Sequence, residues 1–305
     1  MSRDIQNPEQ FYESLVAHKL LLPTEVDGVP GKGKVFEYVM RSFDDLITRT
    51  VKDDNAEVMH FPPAINRKVF EGSGFLKSFP QLAGSIFSFT GTEPQHRELI
   101  DRIAQHHEWH DLQTMTEVCL TPSACYPVYP QCTGTLPEGG RLVDIWAYCF
   151  RHEPSKDPAR MQMFRMREHI RIGDPDTVLK WRNTWMDRGM ELLTSLGLPV
   201  KSDAASDPFF GRGGRMLAAN QKDQKLKFEL LCAITSEEKP TAIMSFNYHQ
   251  DHFSKMFQIK TADGELAQTA CLGFGMERCI LAMFSVHGFE PEKWPAAVRT
   301  ILFPS

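Results

Sequence analysis

Between Val35 and Thr50 apolar residues recur at helical spacing (Val35, Phe36, Val39, Met40, Phe43, Leu46, Ile47), and this stripe predicts an amphipathic helix. The following AEVMHF reads as a strand that stops at Pro62 and Pro63. Two strand-like runs, RLVDIWAYCFRHE and ARMQMFRMREHIRI, flank a polar loop containing Pro154, Lys156, Asp157 and Pro158, which predicts an antiparallel hairpin with a long charged tip. Strand alternation places Arg151 and Glu153, two apart, on one face of that hairpin. A helix then starts at the N-cap Asp174 and Pro175 and stops at Gly197; Val178, Trp181, Trp185, Met186, Leu192 and Leu193 form its apolar stripe. SDPFFGRGGRMLAANQK, rich in Gly and carrying Arg212, Arg215 and Lys222, reads as a mobile loop. LKFELLCAIT and TAIMSFNY are further strands, and the glycines of CLGFGMER lead from a strand into an apolar helix. Ahead of all this, residues 1–30 read as an N-terminal extension: a short helix around Pro8 to Lys19, then a loop punctuated by Pro and Gly.

Composition narrows the class. The chain has 305 residues, 42% hydrophobic and 24% charged, which is enough for a sizeable core in a soluble globular protein. No apolar run is long enough to span a bilayer, and the first residues lack the apolar stretch of a secretory signal, so a cytoplasmic location away from membranes is expected. The net charge of -5 opposes broad binding to a polyanion such as tRNA. Seven dispersed cysteines, an odd number, do not make a disulfide framework; they are small core residues, or in special cases a thiolate ligand or nucleophile. Cys132, Cys149, Cys232 and Cys279 have no adjacent His or Asp pattern and are expected in the core. His106, His107, Glu108 and His110 do not spell HExxH and are expected on a solvated helix face.

Arg151, Glu153, Arg160 and Arg278 are placed so that they can meet on one surface. With no Gly-Lys-Ser/Thr phosphate loop in the chain, planar guanidinium forks are the natural means of holding a nucleotide. Taken alone, the same residues also fit ordinary surface ion pairs.

Four segments in order change that balance: HFPPAIN at 60–66, FRHE at 150–153 with ARMQMFRMRE at 159–168, and CLGFGMER at 271–278, with LTPSACYP at 120–127 between the first two. Their wording resembles motifs 1, 2 and 3 of the class II aminoacyl-tRNA synthetases. LTPSACYP resembles the seryl-enzyme loop Leu-x-Pro-Thr-Ala-Glu, and SFNYHQDHF the later Ser-x-Asn segment. The resemblance covers about residues 30 to 295 and implies an α+β fold, an antiparallel sheet flanked by helices. The catalytic domain is then 31–305, with a helical insertion at about 175–222.

Two departures refine the expectation. The loop glutamate is replaced by Cys125, and Cys271 precedes motif 3; with Glu168 they resemble the Zn²⁺ ligands of methanogen-type seryl-tRNA synthetases, where the fourth position takes the substrate's amine. The segment ahead of motif 1 is too short for a tRNA-binding arm. The chain therefore resembles the amino acid:carrier-protein ligases, which activate a small amino acid with ATP and load it onto the phosphopantetheine thiol of a small acidic carrier. A truncated seryl-type tRNA synthetase and a silent regulatory paralogue are the alternatives. The absent arm opposes the first, and retention of Arg151, Glu153, Arg278 and the ligand triad opposes the second.

The resemblance also implies roles. Arg151 takes the α-phosphate and Arg278 the γ-phosphate; Phe164 stacks on adenine; Glu153 lies by the adenine and the ATP bend; Glu229 helps hold Mg²⁺; Arg160 belongs to the ATP surface. Ser245 and Asn247 border the amino-acid pocket, where Met244, Phe246 and Tyr248 add bulk that favours glycine, then alanine. The helix from Trp181 to Leu196 and the segment with Arg212 and Arg215 are expected to meet the carrier. Motif 1, through Pro62 or Pro63, implies a homodimer.

Overall fold

The computed structural model describes residues 7–304, so the first six residues of the N-terminal extension lie outside the described part. A seven-stranded sheet organises the chain. Its strands, in chain order, are β1 (Glu57–His60), β2 (Arg141–Phe150), β3 (Met163–Gly173), β4 (Lys201–Ala204), β5 (Lys227–Cys232), β6 (Thr241–Gln250) and β7 (Gln268–Gly275). Their order across the sheet is β4-β5-β6-β7-β3-β2-β1, antiparallel throughout except for the parallel β1–β2 pair at one edge. Because β2 and β3 are consecutive while β6 and β7 are inserted on the other side of β3, the middle of the sheet brings motif 2 beside motif 3.

The helices of ten residues or more are α1 (Pro8–Ala17), α2 (Lys34–Thr50), α3 (Glu93–Ala104), α4 (Pro175–Ser195), α5 (Gly211–Asp223) and α6 (Met276–His287). α2, α4 and α6 cover one face of the sheet. Their stripes, including Phe36, Phe43, Trp185 and Phe284, pack with Phe246, Leu272 and Phe274 into the larger core. α4 begins as its sequence dictates, with the Asp174 carboxylate accepting the Thr177 N–H, and ends before Gly197, whose φ of +71° suits glycine. Gly189 lets α4 approach closely: a Cβ there would lie 2.8 Å from Met244 Sδ and 3.0 Å from Phe246 Cζ.

On the opposite face a second core gathers Cys125, Tyr129, Ile145, Ile170 and Phe253 beneath the 121–136 segment. Beyond it, a three-stranded sheet (Ala64–Asn66, Ser85–Phe89, Gln113–Leu120) and α3 form an outlying layer. All seven cysteines are buried, and among the described residues none is joined in a disulfide. Behind the central strands Arg165, 5% exposed, is held by Glu277 and Glu37, and Arg167 by Asp144 and Asp44; these ion pairs, buried at the arginines and half-exposed at Glu37 and Asp44, tie α2 and α6 to β3.

Three expectations need correction. Residues 211–223 form helix α5: Gly211, its first residue, supplies a positive φ, and Gly214 lies so close to Phe209 that a Cβ there would sit 2.6 Å from its carbonyl. The segment expected as a helical insertion at about 175–222 is also not wholly helical, since Lys201–Ala204 adds an edge strand to the main sheet. The histidine cluster is exposed, as expected, but on a turn, because α3 ends at Ala104 and His106 turns left-handed with φ +56°. Among the described residues no helix is long and apolar enough to cross a membrane.

Candidate active site

Strand register builds the site. Ser245 lies opposite Gly273 and Gly273 opposite Glu168, while Asn247 lies opposite Cys271. With alternate residues on alternate faces, Glu229, Ser245, Asn247, His249, Cys271, Gly273, Met166 and Glu168 share the face away from α4. They floor a cavity of about 530 Å³. Its walls come from Ser123, Cys125 and Tyr126 of the 121–128 turn, from Arg151 and Glu153, from Arg278 at the start of α6, and from Asp207, Leu217 and Gln221 around α5.

Ten of the eleven candidate residues border this one cavity: Cys125, Arg151, Glu153, Phe164, Glu168, Glu229, Ser245, Asn247, Cys271 and Arg278. Arg160 is exposed and joins them through Glu153, its Nη1 2.9 Å from Oε1. Arg151 and Glu153 do meet the same cavity, though not as alternate residues of a strand. β2 ends at Phe150, ahead of Pro154, and the Glu153 N–H turns back to the Arg151 carbonyl at 2.7 Å. Arg151 donates to the Pro122 carbonyl (3.1 Å) and lies 5.4 Å from the centre of the Phe164 ring. Arg278 donates to the carbonyls of Ala159 (2.8 Å) and Ala242 (3.1 Å). Burial, with Arg151 and Arg160 adding positive charge nearby, lowers its pKa, so an anion placed here meets a cluster of cations with little water to screen them.

At the deep end, one ligand atom each from Cys125, Glu168 and Cys271 lies within 4.8 Å of the others, all buried. Glu168 Oε1 accepts from Ser123 Oγ and the Ala124 N–H, each at 2.7 Å, whereas Oε2 is buried with no partner. Burial, reinforced by the negative charge of Cys271, pushes the Glu168 carboxyl up to about 7. Cys271 is pulled well down by the Cys125 S–H, with help from His249 and Asn247, and Cys125 goes correspondingly up. Three buried acids cannot all ionise side by side without a cation. Two sulfurs and a carboxylate oxygen with a free lone pair are a donor set that suits Zn²⁺.

Several site residues escaped the sequence reading. His249 extends the alternation of Ser245 and Asn247, a signal that was present in the sequence. Lys227 bridges Asp207 (2.6 Å) and Glu229 (3.1 Å), and Asp207 in turn accepts from Gln221 of α5 at 2.8 Å; nothing in local pattern links these. Phe209 stacks on Phe79 at 5.0 Å and the Phe210 N–H reaches the Ser78 carbonyl, so α5 closes over the cavity from one side. Met244 and Phe246, expected to crowd the pocket, instead send their side chains to the other face against Gly189. The space beside Ser245 is limited by Met166, whose Cε would lie 3.0 Å from a Cβ on Gly273.

No family model matches the chain. Among curated proteins it is 45% identical over 289 residues to amino acid–acyl-carrier-protein ligase 1 of Bradyrhizobium diazoefficiens, covering 94% of this chain and 88% of that protein. Ligase 2 of the same organism is 45% identical over 277 residues, covering 90% and 83%. The type-2 serine–tRNA ligase of Methanopyrus kandleri is 28% identical over 195 residues, 59% of this chain and 36% of that one. In structure the chain is similar to a crystal structure of M. kandleri seryl-tRNA synthetase in complex with A. aeolicus tRNASec: TM-score 0.81, 18% identity, 99% of this chain and 61% of that one. It is also similar to the ATP complex of seryl-tRNA synthetase from Pyrococcus horikoshii, with TM-score 0.71, 13% identity and coverage of 99% and 64%. The fold is that of the class II aminoacyl-tRNA synthetases, and with two relatives at 45% identity over nine-tenths of its length the chain belongs to the amino acid–acyl-carrier-protein ligase family of enzymes.

Proposed function

We propose that this enzyme activates a small amino acid with ATP, glycine in the first place and alanine next, and passes it to the phosphopantetheine thiol of a small acidic carrier protein rather than to tRNA. The observation that carries the reading is that the Cys125–Glu168–Cys271 cluster, with Glu168 Oε2 unpaired, opens into the same cavity as Arg151 and Arg278.

In the first half-reaction a carboxylate oxygen of the amino acid attacks the α-phosphorus, and the bond to the bridging oxygen breaks to release pyrophosphate. Arg151, anchored on Pro122, faces the α-phosphate and offsets charge that grows there. Arg278, oriented by two carbonyls, takes the γ-phosphate. Phe164 receives adenine, Glu153 and Arg160 border it, and Glu229 would help hold Mg²⁺. In the second half-reaction the thiol sulfur attacks the acyl carbon, the bond to the AMP oxygen breaks, and the thiol proton passes to solvent.

Cys125, Glu168 and Cys271 would hold Zn²⁺, which when bound supplies a Lewis-acid contact for the neutral amine of the substrate. Ser245 and Asn247 orient the carboxylate end. Met166 restricts the space over Gly273, which supports a small side chain now that Met244 and Phe246 face away. α5 offers Arg212 and Arg215, both exposed, to an acidic carrier at the rim of the cavity. α4 is better placed as a packing helix: Trp185 is buried and Arg188 is held by Asp54. A homodimer is supported by the outer strand β1, with Val58 64% exposed, and by Pro62 and Pro63 exposed just beyond it.

The test is pyrophosphate exchange into ATP with each of the twenty amino acids, on zinc-loaded protein and on Cys125→Ala. Exchange with one small amino acid, lost in the variant, supports adenylation and the metal's part in it. Exchange with none overturns the reading.

A further inference from the structure

Beside the three metal-binding side chains stands a fourth group that the proposed reaction leaves unused. His249 is the third cavity-facing residue of β6, after Ser245 and Asn247, and its Nε2 lies 3.6 Å from Cys271 Sγ. It is not a member of the cluster whose ligand atoms lie within 4.8 Å of one another. Its ring is held on three sides. Nδ1 is 3.1 Å from the hydroxyl of Thr269, a fully buried residue, and the ring packs edge to face with Phe253 (5.0 Å, 78°) and Tyr129 (6.2 Å, 83°). The ring therefore has one orientation open to it.

A neutral imidazole carries one donor and one acceptor. If Nδ1 bore the proton, the lone pair of Nε2 would point at the sulfur, which is repulsive once that sulfur is a thiolate. If the Thr269 hydroxyl donates to Nδ1, the Nε2–H donates to the sulfur and both contacts are satisfied. Asn247 Nδ2 reaches the same sulfur at 3.5 Å, but Asn247 also borders the substrate space. His249 is tied to Thr269 instead and leaves the sulfur only by breaking that bond.

We infer that His249 is a positioning residue for the metal: Thr269 fixes its tautomer, and its Nε2–H, donated to the Cys271 thiolate, orients that ligand and moderates its negative charge. This rests on the metal reading above. Outer partners of this kind govern metal affinity by about 10–100-fold when removed.

The experiment compares wild type with His249→Phe, which keeps the ring volume between Tyr129 and Phe253 but has no N–H, and with His249→Gln, which keeps a donor at the position of Nε2. Zinc affinity is read by competition with a chromophoric chelator on demetallated protein. The cobalt-substituted forms report the sulfur-to-metal charge-transfer band. The Phe variant should bind zinc about 10–100-fold more weakly, and its cobalt band should move to lower energy because a sulfur without its hydrogen bond is easier to oxidise. The Gln variant should restore most of the affinity and the band position. Thr269→Val, which removes only the hydroxyl that sets the tautomer, should move both readouts in the direction of Phe, and it stands as the test should the Phe variant not fold. Wild-type affinity and an unshifted band in both the Phe and Val variants would overturn the role of His249 while leaving the metal site intact. If folded wild-type protein takes up no zinc at all, the metal reading fails, and this inference fails with it.

Discussion

Glu168→Gln should remove a loss of stability that the metal-free protein suffers as pH rises from 5 to 8. In the folded chain the Glu168 carboxyl is raised from its ordinary 4.5 to about 7, by burial first and then by the charge of Cys271. Below about pH 4.5 the group is protonated both folded and unfolded and costs nothing. Between there and pH 7 the unfolded chain ionises while the folded one holds its proton, so stability falls as pH rises and is lost in full above the folded value. The displacement corresponds to about 3 kcal/mol, a large share of what holds a typical domain together. Glutamine keeps an oxygen for Ser123 Oγ and the Ala124 N–H, and it places an N–H where the unpartnered Oε2 faces the sulfurs. The assay is urea denaturation in the presence of a strong zinc chelator, from pH 5 to pH 8, for wild type and variant. The difference between them should grow by about 2.5 kcal/mol in favour of the variant across this range, and added zinc should stabilise wild type more than the variant. Parallel pH profiles for the two proteins would refute the reasoning, because they would mean that the carboxyl is not held protonated by its surroundings.

Gly273→Ala should leave the fold intact, because Met166 Cε, 3.0 Å from the new methyl, can swing aside, but the methyl occupies the space next to Ser245. If crowding by the methyl takes about 1–3 kcal/mol from transition-state binding, kcat/KM for the amino acid in pyrophosphate exchange should fall by roughly 5- to 150-fold, with little change in melting temperature. Glu277→Ala strips the buried Arg165 of a carboxylate that also accepts its backbone N–H at 2.7 Å, and should cost about 3–5 kcal/mol in denaturant titration. Arg212→Glu with Arg215→Glu should leave pyrophosphate exchange unchanged and slow transfer to the carrier by about tenfold or more at low salt; equal loss of both activities would sink the docking role of α5.

Much of the site was legible in the chain because its parts are local. Arg278 follows a Gly-rich strand end, Glu168 sits inside a long strand, and Cys125 lies in a turn after one; their proximity was inferred from family resemblance, since periodicity alone could not bring them together. Where local pattern was ambiguous it misled. Gly211, Gly213 and Gly214 read as a loop, yet close packing against Phe209 makes that stretch a helix over the cavity. The bulk of Met244 and Phe246 was assigned to the pocket, although a strand whose residue 245 faces the cavity must turn 244 and 246 away.

By itself the sequence determined most of the strands and helices, the caps of α4 and the supply of arginines in and after the hairpin, because each is carried by residue type and short-range spacing, whereas the three candidate metal ligands were named through family resemblance. Only the tertiary structure decided the register that sets Ser245, Gly273 and Glu168 in one row, the Asp207–Lys227–Glu229 bridge, the unpaired Glu168 oxygen and the contact of His249 with Cys271. These depend on which strands lie side by side and on how far each is shifted along its neighbour, and pairing across the sheet joins positions tens to more than a hundred residues apart that no local pattern connects.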